Sequence, residues 1–233
     1  MNLLGAIVLV IILISSYRGM KNGLIKTVFS ICSMVIALVL TLWLSPYISK
    51  IAQSNESVLN YFTQRVEKAI PTENIGSKIS DQVNFIDNLP LPKTLKTSIV
   101  EHNNTDTYIA LAVDDFSSYI SHSIASIIIN AIAFLITYLV IIIVLRILST
   151  VLDIISKLPI LHQINKLSGF FVGLLQGFII VWILFVFLTA FASTTMGQKA
   201  FAMINDSVFL SYIYNNNIIL HFITNISKVL FSK

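Results

Sequence analysis

The sequence has little charge and almost no cysteine. Asp, Glu, Lys and Arg make up only 11% of its 233 residues, where a soluble domain carries roughly 25%. Mean hydropathy is +0.85, and several long uncharged runs place the chain in the membrane class before any motif is read. The net charge of +4 is small, and the 15 cations are spread along the chain. The dense basic patch that nucleic acid requires is missing, so no nucleic-acid partner is expected and the cations read as topology signals. The lone Cys32 excludes an internal disulfide or a cysteine-based metal cluster and is expected to be a small apolar packing residue. His102, His122, His162 and His221 share no ligand spacing and read as polar loop or interface residues. Glu67, Glu73, Asp81, Asp87, Asp114 and Asp115 match neither a calcium loop nor a carboxylate dyad and read as a solvated face. Nucleophile–base, H-E-x-x-H and paired intramembrane aspartate patterns are absent as well. No enzyme, no cofactor and no metal is expected.

What the chain does contain is apolar runs of membrane-spanning length. The first is Met1–Tyr17 and the second Leu24–Leu44, with Pro46 expected to end the helix. The third is Ile124–Leu145, 22 residues without charge, and the fourth runs from Leu167 to about Ala192. Cations cluster in the two short connectors, at Arg18, Lys21 and Lys26 in one and at Arg146, Lys157 and Lys166 in the other, where only Asp153 opposes them. Such connectors are expected on the cytoplasmic side, and Arg18 reads as a topology anchor in preference to a ligand for lipid phosphate. The fold class expected is an all-α integral membrane protein, with four transmembrane helices in two hairpins and both termini outside.

The remaining segments are polar or interrupted. From Tyr47 to Phe116 there are six cations and nine acids, a net charge of −3, which suits an extracytoplasmic loop of about 70 residues. Val58, Leu59, Phe62, Val66, Ala69 and Ile70 keep helical spacing and predict an amphipathic helix, with another over 81–88 and a rigid turn at Leu89-Pro90-Leu91-Pro92. Asn103 or Thr105 is expected to cap a helix from Asp106 that continues into the third span. After Ser193, Phe201–Tyr214 and Ile218–Phe231 are too short to span and are expected as interfacial helices, with a break at Asn215, Asn216 and Asn217. The expected division is therefore 1–45 for the first membrane hairpin, 46–116 for the extracytoplasmic loop, 117–192 for the second hairpin and 193–233 for the interfacial tail.

Gly169, Gly173 and Gly177 recur every four residues at the start of the fourth span. Residues so spaced share one helix face, and three glycines there form a groove that admits another helix backbone. Gly19 and Gly23, also four apart, fall at the same inner level of the first hairpin. The fourth helix is expected to pack on the first or second near the cytoplasmic surface, within one bundle in preference to across a dimer seam. Asn130, Thr137 and Gln176 are the sparse polar members of the spans. They read as packing glue or, in the alternative, as the lining of a small channel or permease subunit; no intramembrane Asp, Glu or His supports a proton relay.

Arg18-Gly19 with Gly23, then Val151-Leu152-Asp153, Lys157-Leu158-Pro159-Ile160-Leu161, Asn165-Lys166-Leu167 and the glycine series together resemble the colicin V production protein (CvpA) family of bacterial membrane proteins, in its Gram-positive form. The resemblance covers both hairpins and loosely the tail; the external loop departs from the shortest members, which nearly lack it. It implies a non-enzymatic protein of the bacterial cytoplasmic membrane, tied to production or export of a peptide toxin and to envelope homeostasis. The partners it leaves are the lipid bilayer and a membrane protein or second copy. It brings no catalytic residue. The expected cytoplasmic connector residues are Arg18, Arg146, Asp153, Lys157, Asn165 and Lys166.

Overall fold

The computed structural model describes residues 2–70, 78–111, 113–151 and 162–231. Asp153, Lys157, the Leu158–Leu161 motif and Glu73 lie outside the described residues. Among the described residues the chain is helical, with no strand. Three helices are long and apolar enough to cross a membrane: α1 (Leu3–Gln53), α6 (Phe116–Val151) and α7 (His162–Ala190).

The first of these holds two of the expected spans. Gly23, at φ +79°, is the one residue of α1 with non-helical backbone, in a region open to glycine and strained for other residues. The chain turns back there. Asn2, at the start of the first limb (residues 3–22), donates to the Met203 carbonyl in the tail. Ser49 and Gln53, at the end of the second limb (residues 24–53), bond Asn130, which in turn bonds the Ile223 carbonyl. Both ends of α1 therefore meet the tail, while its middle meets the start of α7.

Pro46 does not end the helix, which continues through it to Gln53. A proline removes one backbone donor, and in membrane helices neighbouring polar groups make that loss tolerable. Here Ser45, Ser49, Asn130 and Ile223 surround Pro46 in a small cleft. Cys32 is also placed differently from the expectation: it is exposed on the outer side of the second limb, not packed.

Between the first two long helices lie α2 (Glu56–Ala69), α3 (Ile79–Asn88), α4 (Lys93–Glu101) and α5 (Thr105–Leu111). Asn55 caps α2 through bonds from the Ser57 and Val58 amides. The cap of α5 is Asn104, neither Asn103 nor Thr105: its Oδ1 accepts from the Thr107 amide and hydroxyl. Asn103 instead bonds Gln82 and the Tyr108 hydroxyl. Nor does α5 continue into α6, because Asp115 caps a fresh start at Phe116 through the Ser118 amide. These short helices bury Val66, Ile86, Leu89, Leu95 and Ile99 in the same core as Phe116, Tyr119 and Ile120 of α6. The Tyr119 hydroxyl donates to the Ile99 carbonyl, which ties α4 to the start of α6.

The tail forms α8 (Thr195–Asn205), α9 (Val208–Asn215) and α10 (Ile218–Phe231). The stretch expected as one helix over 201–214 is two, because the Ser207 hydroxyl caps a new helix at Val208 by accepting from the Leu210 amide. The three asparagines end α9, and Asn217 caps α10 through the Ile219 and Leu220 amides. Phe201, Ile204, Leu210, Tyr214 and Leu220 are fully buried, so the tail is part of the core. Tyr214 packs beside Phe185 of α7, ring centroids 5.3 Å apart, and shares a 2.8 Å bond with Thr189. Burial raises its phenol well above the ordinary tyrosine range; the Thr189 bond acts in the opposite direction. Tail and polar segment are joined where the Thr94 amide donates to Asn215 Oδ1 over 3.2 Å.

Truncating Phe201 to Ala is expected to cost about 3–5 kcal/mol through the cavity it leaves, measured as a lower Tm of the detergent-solubilised protein. Met196→Ala, at an exposed position on the same helix, is expected to stay within about 0.5 kcal/mol.

Candidate functional site: a backbone contact between two helices

The glycine faces meet each other. A methyl group placed on Gly19 would overlap the Gly169 carbonyl and lie 2.8 Å from the Gly173 Cα. One on Gly169 would overlap the Gly19 carbonyl and lie 2.9 Å from the Gly23 carbonyl carbon. On Gly173 it would fall 2.5 Å from the Ser15 carbonyl and 3.0 Å from the Gly19 Cα, and on Gly177 3.0 Å from the Ile12 Cα. Every one of these neighbours is backbone and cannot swing away. The first limb of α1 and the first turns of α7 thus touch main chain to main chain, the geometry that small residues allow between membrane helices. Carbonyl oxygens then face Cα–H groups directly, which adds weak hydrogen bonds to the dispersion gain.

Below this contact sits the turn. The break at Gly23 frees the Leu24 amide from an intrahelical partner, and Asn165 Oδ1 accepts from it over 2.6 Å. A residue of α7 therefore caps the second limb of α1. The same side chain fills the space a Cβ on Gly23 would need, 2.5 Å from its Nδ2. Thr27 completes the turn by donating to the Gly23 carbonyl at 2.7 Å and the Gly19 carbonyl at 3.3 Å. The sequence marks Asn165 only as a connector residue. Its role as a cap depends on a partner 141 positions away, which no local pattern reveals. Ser15 carries a signal that sequence reading passed over: Ser15, Gly19 and Gly23 form one small-residue run at four-residue spacing.

Arg18, Lys21, Lys26 and Lys166 are exposed around this turn, and Arg146 is exposed near the far end of α6. Every described acid lies in 56–115 or in the tail at Asp206, segments that also hold Arg65, Lys68, Lys78, Lys93, Lys96 and Lys199, so the turn carries cations alone and the other end both signs. Among the described residues no group of three metal-binding side chains forms.

The three polar residues of the spans do not come together. Asn130 belongs to the cluster with Ser49 and Gln53. Gln176 bonds Ser30, about 28 Å from Ser49 along the limb at 1.5 Å per residue. Thr137 bonds its own helix at the Ala133 carbonyl, 2.7 Å away.

Compared with known families, the chain matches the model described as colicin V production protein over residues 4–71 and 108–217. The matched parts hold both limbs of α1, α2, α6, the described part of α7, α8 and α9; α3 and α4 fall between them. No curated protein and no solved structure matches.

Gly173→Ala is expected to lower the thermal stability of the purified protein more than Gly177→Ala, because its added carbon meets a carbonyl at 2.5 Å where the other meets Cα at 3.0 Å. Asn165→Leu, which removes the cap, is expected to cost about 0.5–2 kcal/mol, and Asn165→Asp, which keeps an acceptor, less. Thermal unfolding in one detergent, followed by circular dichroism, ranks all four.

Proposed function

The chain belongs to the colicin V production protein family, and from that premise we propose that it is a non-enzymatic, multi-pass protein of the bacterial cytoplasmic membrane, of the Gram-positive type, that supports production or export of a colicin V-like peptide toxin and envelope homeostasis. Its role is to hold membrane helices and an external helical layer together as a platform for a membrane-protein partner. The observation that carries this reading is the family match over both helix pairs, which includes all five glycines of the backbone contact. The long apolar helices support the membrane location.

We also propose four crossings, with the Gly23 turn and the connector before α7 in the cytoplasm and both termini outside. The support is the turn at Gly23, which makes two membrane-length limbs of α1, together with the cations exposed around that turn, where no described acid lies. In this frame 46–116 is the external layer and 193–233 its cover, packed on the outer ends of the spans. A channel or permease subunit is the second reading; the separation of Asn130, Thr137 and Gln176 onto different contacts gives it no continuous polar path among the described residues.

The topology is tested with single cysteines at Asn60, Lys21 and Lys199 on a Cys32→Ser background, exposed to a membrane-impermeant thiol reagent on intact cells. Positions 60 and 199 are expected to react and position 21 only after permeabilisation; any other pattern rejects the orientation. For the function, deletion in a toxin-producing host is expected to reduce the secreted peptide several-fold and to raise envelope-stress signalling, with rescue by the wild-type gene. Unchanged secretion and envelope behaviour in the deletion strain would discard the proposal.

A further inference from the structure

The glycine faces are used inside the chain, so a contact with another membrane helix has to use a different surface. Ser30 and Gln176 supply one. Gln176 lies 11 residues beyond Asn165, about 16 Å along α7 at 1.5 Å per residue, roughly half the ~30 Å hydrocarbon thickness. Its Nε2 donates to Ser30 Oγ over 3.0 Å. Ser30 is exposed and Gln176 half-buried. Their neighbours Phe29 and Leu175 are 70% and 57% exposed, so the pair faces out of the bundle among lipid-facing side chains.

The hydrogen bonding of this pair does not close. A carboxamide has two N–H donors and a carbonyl acceptor, and a serine has one O–H. One N–H goes to Ser30. Among the described residues the second N–H, the Gln176 Oε1 and the Ser30 O–H have no partner. The buried threonines of the spans behave otherwise: Thr27, Thr41, Thr137 and Thr189 all close on carbonyls of their own helix. Unpaired amide groups are unfavourable in hydrocarbon, where water supplies no substitute. The complement needed is one donor and one acceptor at the same depth. A second Gln176 carboxamide is that complement, and a two-fold axis along the membrane normal brings it to the same depth in an isologous contact. Ser33, one turn beyond Ser30, is exposed and has its hydroxyl closed on the Phe29 carbonyl, leaving a small side chain where two limbs would meet.

We propose that the protein forms a homodimer in the membrane through the Ser30–Gln176 surface, the two Gln176 carboxamides pairing across a two-fold axis. This stands apart from any role in toxin production, and its failure would leave the family-based reading intact.

The experiment uses the full-length protein in native membranes, with Cys32→Ser and Ser33→Cys as reporter and Ser30 and Gln176 retained. Mild oxidation is expected to give a covalent species that mass spectrometry identifies as two copies of this chain. Gln176→Leu is expected to weaken association by about threefold to twentyfold, the range for a polar contact between membrane helices, and Gln176→Asn by less. Thermal stability of the dissociated protein is expected to fall in Gln176→Leu only as far as in Ser30→Ala, which removes the same internal bond, and this separates lost pairing from misfolding. The proposal is overturned if the cross-linked yield is insensitive to Gln176→Leu, or if the cross-linked partner is a different protein. It is overturned equally if a cysteine at Ser30 reacts with a water-soluble, impermeant thiol reagent, since water would then satisfy the amide.

Discussion

Two helix backbones touch at Gly19, Gly169 and Gly173, and the arrangement of the spans follows from that contact. Between helices in lipid there is no hydrophobic gain to collect, since the surroundings are as apolar as the side chains. Dispersion and carbonyl contacts remain, and both fall off steeply with distance. Ser15, Gly19, Gly173 and Gly177 therefore act through what they lack. With this contact made, Asn165 is brought within reach of Leu24, and one side chain can cap a helix to which it does not belong. A one-residue turn at Gly23 then suffices, because the amide and carbonyls it releases are taken up by Asn165 and Thr27.

At the other end the links are polar and longer in range. Asn130 joins Ser49 and Gln53 to Ile223, Asn217 Nδ2 donates to the Trp182 carbonyl, and Asn215 holds Thr94. Three asparagines thus fasten α10, α7, α4 and the second limb of α1. The bundle is closed by packed backbone beside the Gly23 turn and by carboxamides at the opposite end. The family match covers the glycine contact and leaves out α3, α4 and α10; α4 joins the core through Leu95 and Ile99.

Much of this was legible in the sequence, for definite physical reasons. Long apolar runs and glycines at four-residue spacing have few other uses, so the helices and the small-residue faces could be read from Leu24–Leu44, Ile124–Leu145 and Gly169–Gly177. The amphipathic period of Val58 to Ile70 announced α2. What escaped depends on partners distant in sequence. Pro46 would end an isolated helix; it does not where Ser45, Ser49 and Asn130 surround it. Cys32 has the character of a packing residue, yet it lies on the exposed side of the second limb. The choice of Asn104 over Asn103 as a cap follows from Tyr108 and Gln82 engaging Asn103, and the tail's burial follows from Phe185 and Thr189 offering a site for Tyr214.

The backbone contact also sets a clock on biosynthesis. Gly19 is made 154 residues before Gly173, a gap of roughly 8–30 s at ordinary elongation rates. Throughout that interval the two limbs of α1 have their glycine face open and the Leu24 amide without its Asn165 cap. The survival of the nascent chain until α7 emerges becomes a kinetic matter, separate from the stability of the finished fold.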